Sequence, residues 1–238
     1  LSLYHDGRLS PSEGYYEGHG TGEVGWAPIM GVGYYQLLVQ WSKGEYLSAN
    51  NTENDLTNIT TLNGFGYRAD KVGNTTATAS ALTGASGARS AGGIIETFAD
   101  VDVFSFSTAG GSCSFTALGD AASQDLDILV EILDAGGVAI ASANPYDLTD
   151  ATVSTTLAAG NYFLRVSGVG RGDPLGDGYT DYGSIGQYTI SGSIPADTTP
   201  PTADILDITP DPRNTAAGSV SITFNEPVVV ASLDDNIS

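Results

Sequence analysis

From residue 93 onward, hydrophobic and polar positions trade places at every second residue. The runs Val101-Asp102-Val103-Phe104-Ser105-Phe106-Ser107, Asp125–Ile132, Asn161–Val166 and Gly186–Gly192 carry this alternation. A period of two is the signature of a strand with one buried face. Turn formers separate the runs: Ala109-Gly110-Gly111, Asp134-Ala135-Gly136-Gly137 and Ala158-Ala159-Gly160-Asn161. Short strands punctuated this often predict a β-sandwich, and the chain as a whole reads as mainly β. Ser112-Cys113-Ser114-Phe115 continues the pattern, which makes Cys113 a buried strand residue rather than a nucleophile.

The pattern changes on both sides of this block. Ahead of it, Leu56, Ile59 and Leu62 have helical spacing. They predict a short helix beginning at Glu53-Asn54-Asp55, capped by Asn51 or Thr52 and turned toward a core. Thr75 to Gly93 is rich in Ala, Thr, Ser and Gly, with Leu82 its one large apolar residue, and reads as an extended linker or an edge strand. Beyond Ile194 the run Pro195-Ala196-Asp197-Thr198-Thr199-Pro200-Pro201 is a stiff linker. Two further alternating strands, Ala203–Ile208 and Ser219–Pro227, follow it. The expected organisation is therefore 1–74, a linker or edge segment 75–92, a sandwich 93–194, and a tail 195–238.

Charge narrows the function. Eight Lys and Arg against 28 Asp and Glu give a formal charge of −20. Such a surface repels nucleic acid and anionic membranes and favours cations. No apolar run is long enough for a membrane span, and Cys113 alone allows no intrachain disulfide. A monomer is expected. The 41% hydrophobic content argues for a folded chain rather than an acidic disordered one. Both histidines lie in the first twenty residues and no G-x-S-x-G elbow occurs, so Ser/His/Asp catalysis is poorly supported.

Candidate chemistry falls in two places. One is the first forty residues, which hold His5-Asp6-Gly7 after an apolar, helix-compatible Leu-Ser-Leu-Tyr, and a tight Pro28-Ile29-Met30-Gly31 turn. His19, between Gly18 and Gly20, reads as a loop residue. The other is the set Glu96, Asp100 and Asp102 at the start of a strand, the best candidate for calcium, which needs six to eight oxygens on a turn-rich frame. Asp125 with Asp127, and the loop carrying Asp173, Asp177 and Asp181, are weaker carboxylate groups.

Three resemblances bear on these residues. The first forty resemble the downstream half of a metzincin zinc peptidase of the adamalysin/reprolysin-like kind found in secreted bacterial proteins, whose motif is H-E-x-x-H-x-x-G-x-x-H-D followed by a Met-turn. The resemblance implies that His5 is the third zinc ligand, Asp6 the Asp that follows it and Met30 the residue beneath the metal. Ser2 stands where the motif has Gly, and the first two His and the general-base Glu would lie ahead of Leu1. Tyr34 and Tyr35 would pack under the active site. Since catalytic zinc needs three protein ligands and a base for its water, residues 1–238 alone are expected to be inactive. The motifs DVDVFSF, LDILVEILDAGG and LAAGNYFLRVSG resemble the bacterial pre-peptidase C-terminal domain, a jelly-roll-like sandwich that is not catalytic. That likeness implies a role in secretion, stability or adhesion, with calcium in several members. TPPTADI and VSITFNEPV resemble the opening of a bacterial Ig-like repeat, truncated here.

Two functional classes follow. One is a secreted or cell-surface zinc endopeptidase acting on protein or polypeptide substrates, of which this chain is the closing, small α/irregular part of the catalytic domain plus accessory modules. The other is a non-catalytic, calcium-dependent extracellular module that adheres to matrix or glycan.

Overall fold

In the computed structural model, residues 3–122, 124–196, 202–206 and 218–224 are described. The chain divides into two compact units, 1–196 and 197–238.

The first unit opens with few regular elements. Strands β1 (Trp26–Pro28) and β2 (Leu38–Gln40) pair in parallel, joined by turns. Residues 3–7 are irregular, not the end of a helix. One helical turn, α1 (Asp55–Thr57), runs on as a π-turn over Asn58–Leu62. The helix starts later than the charge pattern suggests because Asn54 is its cap, its side chain accepting from the Thr57 N–H at 2.8 Å. The wider π-turn, closed by Asn63 N–H to Asn58 O at 3.2 Å, breaks the helical phase. Leu56 is therefore buried, Ile59 half-buried and Leu62 exposed.

Two sheets follow and pack face to face. One has the order β3-β5-β10-β7-β8 and the other β4-β11-β6-β9. The strands are β3 (Ser80–Ala81), β4 (Ala88–Ile95), β5 (Val101–Thr108), β6 (Gly111–Gly119) and β7 (Ile128–Leu133). The set closes with β8 (Ala139–Ala143), β9 (Ala151–Leu157), β10 (Gly160–Gly168) and β11 (Gly186–Ser193). Apart from the parallel β3–β5 pair, the ladders are antiparallel. The fold is thus mainly β, a sandwich. The segment read as linker or edge holds β3 and most of β4, each at the edge of its sheet.

Alternation explains the core. Cys113, Phe115 and Ala117 of β6 face inward and are fully buried, as are Ile128, Val130 and Ile132 of β7 and Leu164 and Val166 of β10. Asp125–Asp127, expected as strand, instead form an irregular approach to β7.

A second, aromatic cluster lies in the residues ahead of the sandwich: Tyr16, Val24, Trp26, Leu38 and Tyr46, joined by Tyr179. Tyr16 and Tyr46 stack at 4.8 Å between ring centroids. Tyr179 belongs to the loop between β10 and β11, so one loop of the sandwich supplies part of its neighbour's core. The same loop accepts a hydrogen bond at Gly178 O from His19 Nε2 (2.7 Å). Gln40, fully buried, accepts from Trp26 Nε1 at 2.9 Å and donates to Asp125 O at 2.6 Å.

In the second unit, β12 (Ala203–Ile205) pairs antiparallel with β13 (Ile222–Phe224). These lie within the two expected tail strands but are shorter: Leu206 and Ser219 to Ser221 fall outside them, and 207–208 and 225–227 lie outside the described residues.

Candidate functional site

β4 ends at Ile95, the chain turns through Glu96–Asp100 with Asp100 N–H bonding Thr97 O at 3.0 Å, and β5 begins at Val101. The segment ahead of the sandwich returns to this turn. Asp70 Oδ1 accepts from Val72 N–H at 2.9 Å, bending the chain as short Asp side chains do, and Val103 N–H reaches Gly73 O at 3.0 Å. As a result one carboxylate oxygen each of Asp70, Glu96 and Asp100 lie within 4.8 Å of one another. Asn74 Nδ2 donates to Asp100 Oδ1 at 2.9 Å.

The other oxygens are short of donors. Asp100 Oδ2, on a residue only 4% exposed, has no hydrogen-bond partner, nor do the buried Glu96 Oε2 and Asp102 Oδ1. Burial first, then a carboxyl hydrogen bond with Glu96, then the charges of Glu96, Asp102 and Asp70, push Asp100 up to about 7. Asp102 lies apart from the three-oxygen group. Its Oδ2 accepts from the Tyr188 hydroxyl, and a Cβ on Gly93 would fall 2.2 Å from that oxygen, which is why glycine stands there. Burial raises Asp102 to about 6 despite the Tyr188 hydrogen bond. The expected trio therefore becomes Asp70, Glu96 and Asp100, with Asp102 behind them. Asp70 could not be found from spacing, since it comes from another part of the chain. Its only local signal was an Asp at a turn.

Buried oxygens lacking donors, like-charged neighbours and close approach are the chemistry of a hard-cation site, where a divalent ion supplies the charge the carboxylates lack. Asp70, Glu96 and Asp100 fit calcium by donor type. A groove of about 710 Å³, lined by Arg68, Lys71, Gly92, Leu118 and Tyr188 among others, runs beside Asp70.

The other candidate set is partly assembled. Asp6 N–H donates to Met30 O at 2.9 Å, and Gly31 N–H to Pro28 O at 3.0 Å closes the turn at Met30. His5-Asp6-Gly7 and the Met30 turn thus lie side by side. His5 is exposed against Tyr15, while Asp6 is buried at 2% exposure. Asn51 Nδ2 donates to Asp6 Oδ1 at 3.3 Å, and Asp6 Oδ2 has no partner. Burial, then Asp55 and Glu53, raise Asp6 to about 7. Tyr34 and Tyr35 do not pack beneath anything: they are 93% and 74% exposed. His19 is spent on structure, because Nε2 donates to Gly178 O and Nδ1 then accepts from the Tyr16 hydroxyl at 2.8 Å. One free imidazole does not make a catalytic zinc site. The described residues therefore do not fit that metal by themselves.

No protein-family model matches the chain, and no curated protein sequence does. Among the solved structures similar to it are two that match over about half of the chain. One is the pre-peptidase C-terminal domain of collagenase from Bacillus anthracis, 12% identical over 53% of this chain and 98% of that one, with a TM-score of 0.34. The other is Aeromonas hydrophila PliG, a periplasmic lysozyme inhibitor of g-type lysozyme, 16% identical over 49% and 95%, with a TM-score of 0.35. No described helix is long and apolar enough to cross a membrane.

Proposed function

We propose that this chain is a calcium-stabilised, non-catalytic β-sandwich of an extracellular protein, carried behind the closing segment of a zinc-peptidase domain. The observation that carries the reading is the convergence of Asp70, Glu96 and Asp100 oxygens with Asp100 Oδ2 buried and unpartnered. Because Asp70 precedes the sandwich and Asp100 ends the turn just before β5, calcium there clamps the incoming chain onto the sheet. The peptidase half is supported by the hydrogen bond from Asp6 N–H to Met30 O, which joins the two pieces of the resemblance. In the parent protein His5 is the third ligand, and substrates are proteins or polypeptides; in this chain no hydrolysis is expected.

A thermal melt of the whole chain with calcium, and again with a chelator, tests the clamp. At a calcium concentration 100 times Kd the gain is about 2.7 kcal/mol. Asp100→Asn should abolish most of that gain, and identical melts with calcium and chelator refute the clamp. The peptidase reading is tested separately: the sequence encoded ahead of Leu1 should carry H-E-x-x-H, and its absence there leaves only the adhesion module.

A further inference from the structure

The turn between β4 and β5 does more than supply two carboxylates. Midway between Glu96 and Asp100 stands Phe98, a half-exposed ring that belongs to neither apolar cluster. Its centroid lies 6.4 Å from that of Tyr182, in the loop between β10 and β11. The Lys43 ammonium sits 5.8 Å from the Phe98 centroid and 4.7 Å from the Tyr182 centroid, within reach of cation–π attraction. Its Nζ is also 3.1 Å from Glu45 Oε1, and Glu45 Oε2 accepts from the Thr180 hydroxyl at 2.8 Å.

From these contacts the interior ahead of the sandwich can be followed bond by bond. The Tyr182 hydroxyl accepts from Leu56 N–H at 2.9 Å and donates to Asn54 Oδ1 at 2.8 Å, the oxygen that also caps α1. Lys43 follows Ser42, whose N–H donates to Asp55 Oδ2 at 3.2 Å and whose carbonyl accepts from Asp55 N–H at 3.3 Å. Two residues earlier, Gln40 O accepts from Ile29 N–H at 2.8 Å, and the next residue, Met30, holds Asp6 N–H. The cap of α1 and the Met30 turn are thus both linked to the ring of Phe98.

The carboxylates decide whether that ring stays in place. With no cation, like charges converge on the turn and the buried Asp100 Oδ2 has no donor, which favours any arrangement that separates them. A cation favours the converged one, and a ligand shifts an equilibrium only by such a difference in affinity. Because Glu96 and Asp100 flank Phe98 two residues away on either side, fixing both fixes the ring between them.

We propose that the cation site is a conformational relay: its occupancy holds Phe98 against Tyr182 and Lys43, and so orders α1 and the Met30 turn. The inference rests on the calcium reading of Asp70, Glu96 and Asp100. It adds a consequence at residues 42–57, which supply no ligand. By linkage, an ordered segment ahead of the sandwich tightens calcium binding by the same factor.

The test is amide hydrogen exchange of the whole chain, read residue by residue by NMR in calcium chloride and in chelator. Val72 N–H, bonded to Asp70 Oδ1, and Val103 N–H, bonded to Gly73 O, report the clamp. Ser42 N–H and Leu56 N–H report the relay. Calcium should slow all four in the parent. In Phe98→Ala the slowing at Val72 and Val103 should persist, while that at Ser42 and Leu56 shrinks by roughly two- to tenfold, the range one aromatic contact supplies. Calcium affinity should weaken by the same factor, and Phe98→Tyr, which keeps the ring, should behave as the parent. Slowing that arises from global stabilisation alone would survive Phe98→Ala. The relay is overturned if it does survive, or if Ser42 and Leu56 ignore calcium while Val72 and Val103 respond; the clamp then stands without it. If none of the four amides responds, the clamp fails and the relay falls with it.

Discussion

In the sandwich, Phe115, Ile128, Ile132, Leu164 and Val166 are fully buried among other apolar side chains. In the residues ahead of it, buried Asp6, Gln40, Ser42 and Asp55 stand among Tyr16, Val24, Trp26, Ala27, Leu38, Tyr46 and Leu56. The first region is held by area removed from water, at about 1.5–3 kcal/mol for each large side chain. The second depends on polar groups finding partners, and not all do: Asp6 Oδ2 and Asp55 Oδ1 find none. An apolar core needs only the strands that carry it. A polar interior needs its loops, its protonation state and its neighbours, and this one borrows Tyr179, Gly178 O and Asp125 O from the sandwich side.

That contrast can be broken most forcefully from the sandwich. Phe115→Ala should cost about 3–5 kcal/mol. The ring packs against Gly192, where a Cβ would lie 2.3 Å from it, and against the Phe106 ring at 4.8 Å between centroids. Denaturant unfolding with hydrogen exchange should show protection lost in the residues ahead of the sandwich as well. If those residues stay protected while the sheets exchange, their dependence on the sandwich is disproved.

A change of pH sharpens the comparison from the other side. Burial raises Asp55 and Asp127 from 3.8 to about 6 in the folded chain. A raised carboxylate binds its proton more tightly when folded, so its contribution is complete below pH 3.8 and is lost as pH rises through about 6. With a chelator present, so that no bound calcium adds its own pH dependence, stability should fall between pH 4 and pH 7, by no more than about 3 kcal/mol per group. Asp55→Asn should flatten the slope. A stability that climbs over that window contradicts the account.

The smallest effect expected is that of Tyr179→Phe, about 1–2 kcal/mol. It leaves the aromatic ring in the cluster but removes the donor to Asp127 Oδ2. The fluorescence of Trp26, in the same cluster as Tyr179, should report local loosening before the sheets melt. Coincident transitions would instead make the two regions one cooperative block.

The sandwich was legible because a period of two is written locally. Strands β5, β10 and β11 and the glycine turns after β5, β7 and β9 could be named from spacing alone. β9, whose Ala151–Leu157 run is mostly small and polar, carried too weak an alternation to be picked out. The α1 cap was misplaced because several polar residues in the Asn50–Asp55 run could have served, and only the contact of Asn54 with Thr57 N–H and the Tyr182 hydroxyl selects one.

By itself, then, the order of residues determined the strands, their inward faces and the acidic character, since each depends on neighbours in the chain. Tertiary structure alone decided that Asp70 joins Glu96 and Asp100, that Asp102 turns to Tyr188, and that Asp127 turns to Tyr179. Such sites are made by side chains distant in sequence, and only packing determines which oxygens are left without a partner.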